Sequence, residues 1–150
     1  MDSRLDPMGI AFAEAEAAFA RGEVPIGAAI VRDGVVLASA GNRTLELDDP
    51  TAHAEMLAIR AAAVSAGSQR LIDADLYVTL EPCAMCAGAI SFARIRRLYY
   101  AADDPKGGAV EHGPRFFAQP TCHHAPEVYS RIRATESAAL LRRFFEARRG

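Results

Sequence analysis

His53, Cys83 and Cys86 are the side chains of this sequence best suited to share one metal ion, and Glu55 stands two residues beyond the first of them. One imidazole and two thiolates form a soft donor set that suits zinc. A structural zinc site normally closes its tetrahedron with a fourth protein ligand, whereas three ligands leave one position for water. Zinc lowers the pKa of such a water from ~15.7 to about 7. Moving its proton to a leaving group then needs a separate acid and base, and Glu55 is the candidate. Each half of the pattern has a plainer reading alone: His53-Ala54-Glu55 as a helix surface, Cys83-Ala84-Met85-Cys86 as a redox pair or two buried thiols. Together they read as a zinc site with one open position.

These residues can meet only at helix ends. Side chains two apart in mid-helix point to nearly opposite sides, so His53 and Glu55 share a site only if a helix N-terminus faces the metal. The spacing therefore predicts a helix starting at or near Thr51 and running to Ala66, with apolar positions at 56, 57, 59 and 63 and Gly67 beyond its end. Cys83 and Cys86 fall on one face of the first turn of a second helix, with Pro82 where a missing N–H costs nothing. Both helices aim the positive ends of their dipoles at the thiolates.

The remaining elements position that pair. Residues 7–21 predict an amphipathic helix with Ile10, Phe12, Ala13, Ala17 and Ala20 on its apolar side, stopped by Gly22. Residues 26–31 and 35–40 flank Asp33-Gly34 and predict a β-hairpin. Residues 42–50 form a polar loop. Strand 75–80, helix 84–92 and strand 97–102 imply a parallel pair with the metal outside the carboxyl end of a strand, where α/β sheets bind ligands. Residues 103–126 are irregular, 128–132 predict a fifth strand, and 135–149 a helix with Leu140, Leu141, Phe144 and Phe145 as its apolar stripe. The expected architecture is α/β: a mixed five-stranded sheet between helices.

At 150 residues the chain is long enough for one domain, 1–150, with a real core, and it shows no repeats or linker. The N-terminal region carries Asp2, Arg4, Asp6, Glu14 and Glu16, so neither a signal peptide nor a membrane span is expected, and the setting is cytoplasmic. Cys122 is left without a partner, against a disulfide framework. Charge is uneven: residues 1–93 hold six Lys/Arg against thirteen Asp/Glu, residues 94–150 eleven against six. A basic C-terminal third could follow a phosphate backbone or be a solvated face.

The segments Glu23-Val24-Pro25-Ile26-Gly27, Gly41-Asn42-Arg43, residues 49–55 and residues 76–90 (LYVTLEPCAMCAGAI) resemble, in order and spacing, the bacterial tRNA-specific adenosine deaminase family of the cytidine-deaminase-like fold, and the likeness covers residues 10–107. The resemblance implies a three-layer α/β/α fold with helices on both faces of the sheet. It implies one zinc per chain on His53, Cys83 and Cys86, and hydrolytic conversion of adenosine to inosine at the wobble position of a tRNA anticodon stem-loop. Glu55 would shuttle the protons. Asn42 would hydrogen-bond the base, the Ala54 backbone would touch it, and Asp104, Lys106 and Phe145 would line the approach for flanking nucleotides. From the helical pattern alone, Phe145 reads more readily as core.

A homodimer is also implied, which would let an acidic chain build a basic groove from two copies. Departures are Thr44, where members commonly carry proline, and the segment beyond Lys106, including Arg115-Phe116-Phe117 and Cys122-His123-His124, which aligns only loosely. The last three residues suit RNA contact better than a second metal site, since adjacent histidines cannot easily share an ion. Two rival readings keep the zinc: a free nucleobase or nucleoside deaminase acting on guanine, cytosine or adenosine, and a non-catalytic zinc module, which would need no Glu55.

Overall fold

A computed structural model describes residues 5–149, Arg149 by its backbone alone; Asp2 and Arg4 lie outside the described residues. Helix α1 (Pro7–Ala20) starts on Asp6, whose carboxylate accepts the Gly9 N–H at 3.0 Å, with Pro7 at the first helical position. It lies on strand β1 (Gly27–Arg32) at a distance that only glycine permits, because a Cβ at Gly27 would fall 1.9 Å from the Ala11 carbonyl oxygen. The buried side of α1 is Met8, Ala11, Phe12, Ala15 and Ala18, while Ala13, Ala17 and Ala20 of the expected stripe face solvent. Alanines surround this helix, so apolar spacing does not select a face; the fit against Gly27 does.

Strand β1 turns through Asp33-Gly34, with φ of 51° and 74°, into β2 (Val35–Gly41), as the sequence predicts for a two-residue hairpin turn. Register shifts between Ile30 and Val31, leaving Leu37 without a partner. Among the described residues the sheet has five strands in the order β2-β1-β3-β4-β5, with β3 (Asp75–Leu80), β4 (Arg97–Ala102) and β5 (Glu127–Tyr129). The β1 strand pairs antiparallel with β2 and β3, and β3–β4–β5 are parallel. The fifth strand ends at residue 129 and not 132, because Arg131 (φ 59°) and Arg133 (φ 64°) bend the backbone out of extended conformation.

Helices α2 (Ala54–Ala66) and α3 (Ala84–Phe92) cover one face of the sheet, where Ala54, Ala58, Ala62 and Ile90 pack with Ile30, Leu76, Val78, Leu98 and Tyr100. Each fully buried large aliphatic side chain there contributes roughly 1.5–3 kcal/mol. The buried line of α2 is alanine, and the larger Met56, Leu57 and Ile59 flank it half-buried, because small residues let the helix settle close to the sheet. Helices α1 and α4 (Ala134–Arg149) cover the other face, where Met8, Phe12 and Leu140 pack with Ala101 of β4. Phe144 meets Phe19 edge-on at 5.5 Å, and Arg143–Glu16 (3.3 Å) and Arg133–Asp6 (3.4 Å) tie α4 to α1. The three-layer arrangement is the expected one. No helix among the described residues is long and apolar enough to cross a membrane.

Candidate active site

His53 and Cys83 are the N-caps of α2 and α3, both extended (ψ 154° and 176°), and neither side chain makes a capping hydrogen bond. Helix α2 begins three residues later than Thr51 because the Asp49 carboxylate takes the Thr51 N–H (2.8 Å) and hydroxyl (2.7 Å), making a local turn that competes with the helix. Pro82 correspondingly precedes the cap of α3 instead of opening the helix. His53 Nδ1 lies 3.6 Å from Cys83 Sγ and 3.5 Å from Cys86 Sγ. Zn–S bonds of about 2.3 Å and Zn–N bonds of about 2.0–2.1 Å in a tetrahedron put sulfur and nitrogen about 3.6 Å apart, so the three side chains fit the ion. The cluster of donor atoms within 4.8 Å of one another holds these three residues and not Glu55.

The Cys86 S–H hydrogen bond, with help from His53, holds the Cys83 thiol down at about 4, while that same proton sharing and burial push Cys86 well above its ordinary range. The hydrogen bond with Cys83 raises His53. Glu55 is buried, and desolvation pushes it up to about 7.

A cavity of about 130 Å³ is lined by His53, Glu55, Cys83, Ile26, Leu80, Glu81, Asp104 and Gly107. A larger space of about 520 Å³ shares Ile26, Leu80 and Asp104 with it and adds Lys106, Leu141 and Phe145. Asp104 thus stands at the junction of an inner pocket and an outer groove, with Lys106 and Phe145 in the groove. Phe145 is 47% exposed, which removes it from the core; Leu140 and Phe144 fill that role.

Asn42 is buried, and its Oδ1 accepts the Ala54 N–H at 2.8 Å. The Ala54 N–H and the Asn42 oxygen thus satisfy each other, and Asn42 has its Nδ2 donor left to offer a base.

Two buried carboxylates escaped the sequence reading. Glu23 accepts the N–H groups of Leu45 (3.1 Å) and Glu46 (2.8 Å), and Glu81 accepts four main-chain N–H groups from residues 104–112. The available signal was an acid inside an apolar run, beside Val24-Pro25 and before Pro82. The Cys122-His123-His124 segment is tied internally: Cys122 Sγ donates to the His124 carbonyl oxygen (3.2 Å), and His124 Nε2 donates to the Ile95 carbonyl oxygen (2.7 Å). Arg148 donates to the Gly22 carbonyl oxygen and lies 4.5 Å over the Phe144 ring. It docks α4 against the turn after α1.

A His/Cys/Cys donor set at two converging helix starts, with an unligated buried carboxyl beside it, defines a zinc-dependent deaminase. The cytidine and deoxycytidylate deaminase zinc-binding region matches residues 1–102. The tRNA-specific adenosine deaminase of Agrobacterium fabrum is 63% identical over 149 residues, 99% of this chain and 98% of the relative, and that of Bacillus subtilis is 42% identical over 90% and 84%. A solved structure from studies of A-to-I editing by tRNA:A34 deaminases superposes with a TM-score of 0.88 at 65% identity, covering 89% of this chain and 97% of that one. The guanine deaminase of Bacillus subtilis superposes at 0.64 with 32% identity, covering 93% and 92%. The chain belongs to the tRNA-specific adenosine deaminases, zinc-dependent enzymes of hydrolytic deamination.

Proposed function

We propose that the chain converts adenosine to inosine at the wobble position of a tRNA anticodon loop, with His53, Cys83 and Cys86 holding one zinc ion and Glu55 moving the protons. The observation that carries this reading is Glu55 itself: a buried carboxyl outside the donor cluster, raised to about 7, beside three side chains spaced for tetrahedral zinc. The likeness to the Agrobacterium fabrum protein supports the substrate.

When bound, zinc supplies a Lewis acid beside which water is a nucleophile at neutral pH. Glu55 takes a proton from the attacking water and places it on N1 of adenine as the C6–O bond forms, then carries the C6 hydroxyl proton to the amine, so that the C6–N bond breaks, ammonia leaves and the C6 carbonyl of inosine remains. A carboxyl near pH 7 can do both. Asn42 holds the start of α2, and with it His53 and Glu55, and keeps its Nδ2 as a donor for the base. Asp104, Lys106 and Phe145 receive flanking nucleotides, whose loop is splayed at less cost than a duplex. The chain acts as a single-domain homodimer in the cytoplasm, two copies together giving the acidic subunit a basic groove.

The test is turnover by purified protein of an anticodon stem-loop against guanine, cytosine and free adenosine. Inosine at the wobble position is the expected product. Faster release of ammonia from guanine than from the stem-loop would replace this reading with a free-base deaminase.

A further inference from the structure

Glu81 carries more main-chain hydrogen bonds than a structural acid at a strand end needs. Its Oε2 accepts the N–H groups of Val110 (3.1 Å), Glu111 (2.9 Å) and His112 (3.1 Å), and its Oε1 accepts that of Asp104 (3.0 Å) and pairs with His112 Nδ1 (2.7 Å). Its side chain is fully buried. Asp103 and His112 also bring oxygen and nitrogen near it, but this is no cation site: both Glu81 oxygens are occupied by N–H donors, and Asp103 takes the Tyr100 hydroxyl and Arg131.

The same residue is fixed in the frame of the metal ligands. The Glu81 N–H donates to the Ala102 carbonyl oxygen (2.8 Å), and the Pro82 carbonyl oxygen, next to Cys83, accepts the Ala109 N–H (2.9 Å). The segment so held contributes Asp104 and Gly107 to the wall of the inner cavity that His53, Glu55 and Cys83 also line. Gly108 is moulded to the clamp, since a Cβ there would lie 2.4 Å from Glu81 Cδ and 2.5 Å from the Asp104 carbonyl oxygen.

We propose that Glu81 is the positioning residue of the base pocket: its buried carboxylate gathers residues 104–112 and so sets the wall formed by Asp104 and Gly107 against the zinc ligands. This rests on the reading of the cavity as the place of the target base. A wall that is displaced weakens capture of the substrate, so its loss reads in KM. A role in folding alone would lower the active fraction, and with it kcat, at constant KM.

The experiment compares zinc-loaded full-length wild type with Glu81→Gln, Gly108→Ala and His112→Ala on an adenosine-containing anticodon stem-loop. Glu81→Gln turns an NH₂ toward N–H donors; Gly108→Ala expels an intact carboxylate from its seat. Both are expected to raise KM about tenfold with a smaller change in kcat, at one zinc per chain, and to speed amide hydrogen exchange at residues 104 and 110–112 while β1 is unchanged. His112→Ala, at the partly exposed end of the clamp, should fold in any case and raise KM about threefold.

Unchanged KM in Glu81→Gln and Gly108→Ala, or in His112→Ala should the other two fail to fold, overturns the proposal. Wild type that turns over guanine and not the stem-loop overturns the RNA reading instead, and the same KM comparison is then made on guanine.

Discussion

His53 Nδ1 and Cys83 Sγ lie 3.6 Å apart across 30 residues of sequence because each residue is the N-cap of its own helix and the two helices start at the same point. Neither side chain is spent on capping, which leaves both for an ion. Alanine at His53, Cys83 or Cys86 should therefore empty the site and lower Tm by several degrees, since ligand binding to the folded state is part of its stability. Metal analysis and thermal melting check this; full zinc occupancy in any of the three contradicts the donor set.

Proton release should accompany zinc binding. Without an ion, Cys83 is held at about 4 and Cys86 well above neutrality, so the pair carries one thiol at pH 7. Ligation needs both thiolates and must expel that proton. The Cys86 thiol, and the His53 imidazolium favoured by its hydrogen bond with Cys83, must give up their protons to bind zinc, so affinity should rise with pH around neutrality, about tenfold per unit for each proton still held. Calorimetry in buffers of different ionisation enthalpy measures the release, and a proton count near zero would contradict the paired state.

Asn42→Ala removes the acceptor of the buried Ala54 N–H as well as the donor toward the base. An unmatched buried group costs about 1–3 kcal/mol, so Tm should fall, and kcat/KM should drop about tenfold to a hundredfold with zinc retained. Melting and single-turnover deamination would show both losses. Wild-type kcat/KM would take Asn42 out of the site.

Lys106 and Arg148 should separate under salt. Lys106 lines the outer groove, whereas Arg148 is engaged by the Gly22 carbonyl oxygen and the Phe144 ring. Lys106→Glu should weaken stem-loop binding and reduce the slope of log K against log salt by about 1. Arg148→Glu should lower Tm and leave that slope alone. Equal slopes in wild type and Lys106→Glu would remove the groove from the RNA path.

The zinc ligands were legible because metal chemistry restricts the residue types, and the strands because hairpin and strand-helix-strand patterns are local. Where the sequence misled, either a distant partner or a competing local turn decided. The buried face of α1 is chosen by Gly27 and not by the spacing of its alanines. The start of α2 is displaced by Asp49 and Thr51. Phe145 has the periodicity of Phe144 yet faces the groove, and Glu23 and Glu81 take their partners from main-chain segments that no periodicity announces.

Glu55→Ala tests the account most directly, with zinc content and inosine formation in an anticodon stem-loop measured on the same preparation. About one zinc per chain is expected, as in wild type, with turnover reduced about 10²–10⁴-fold, because Glu55 moves protons and ligates nothing. Loss of zinc from this variant, or wild-type turnover with zinc in place, would contradict it.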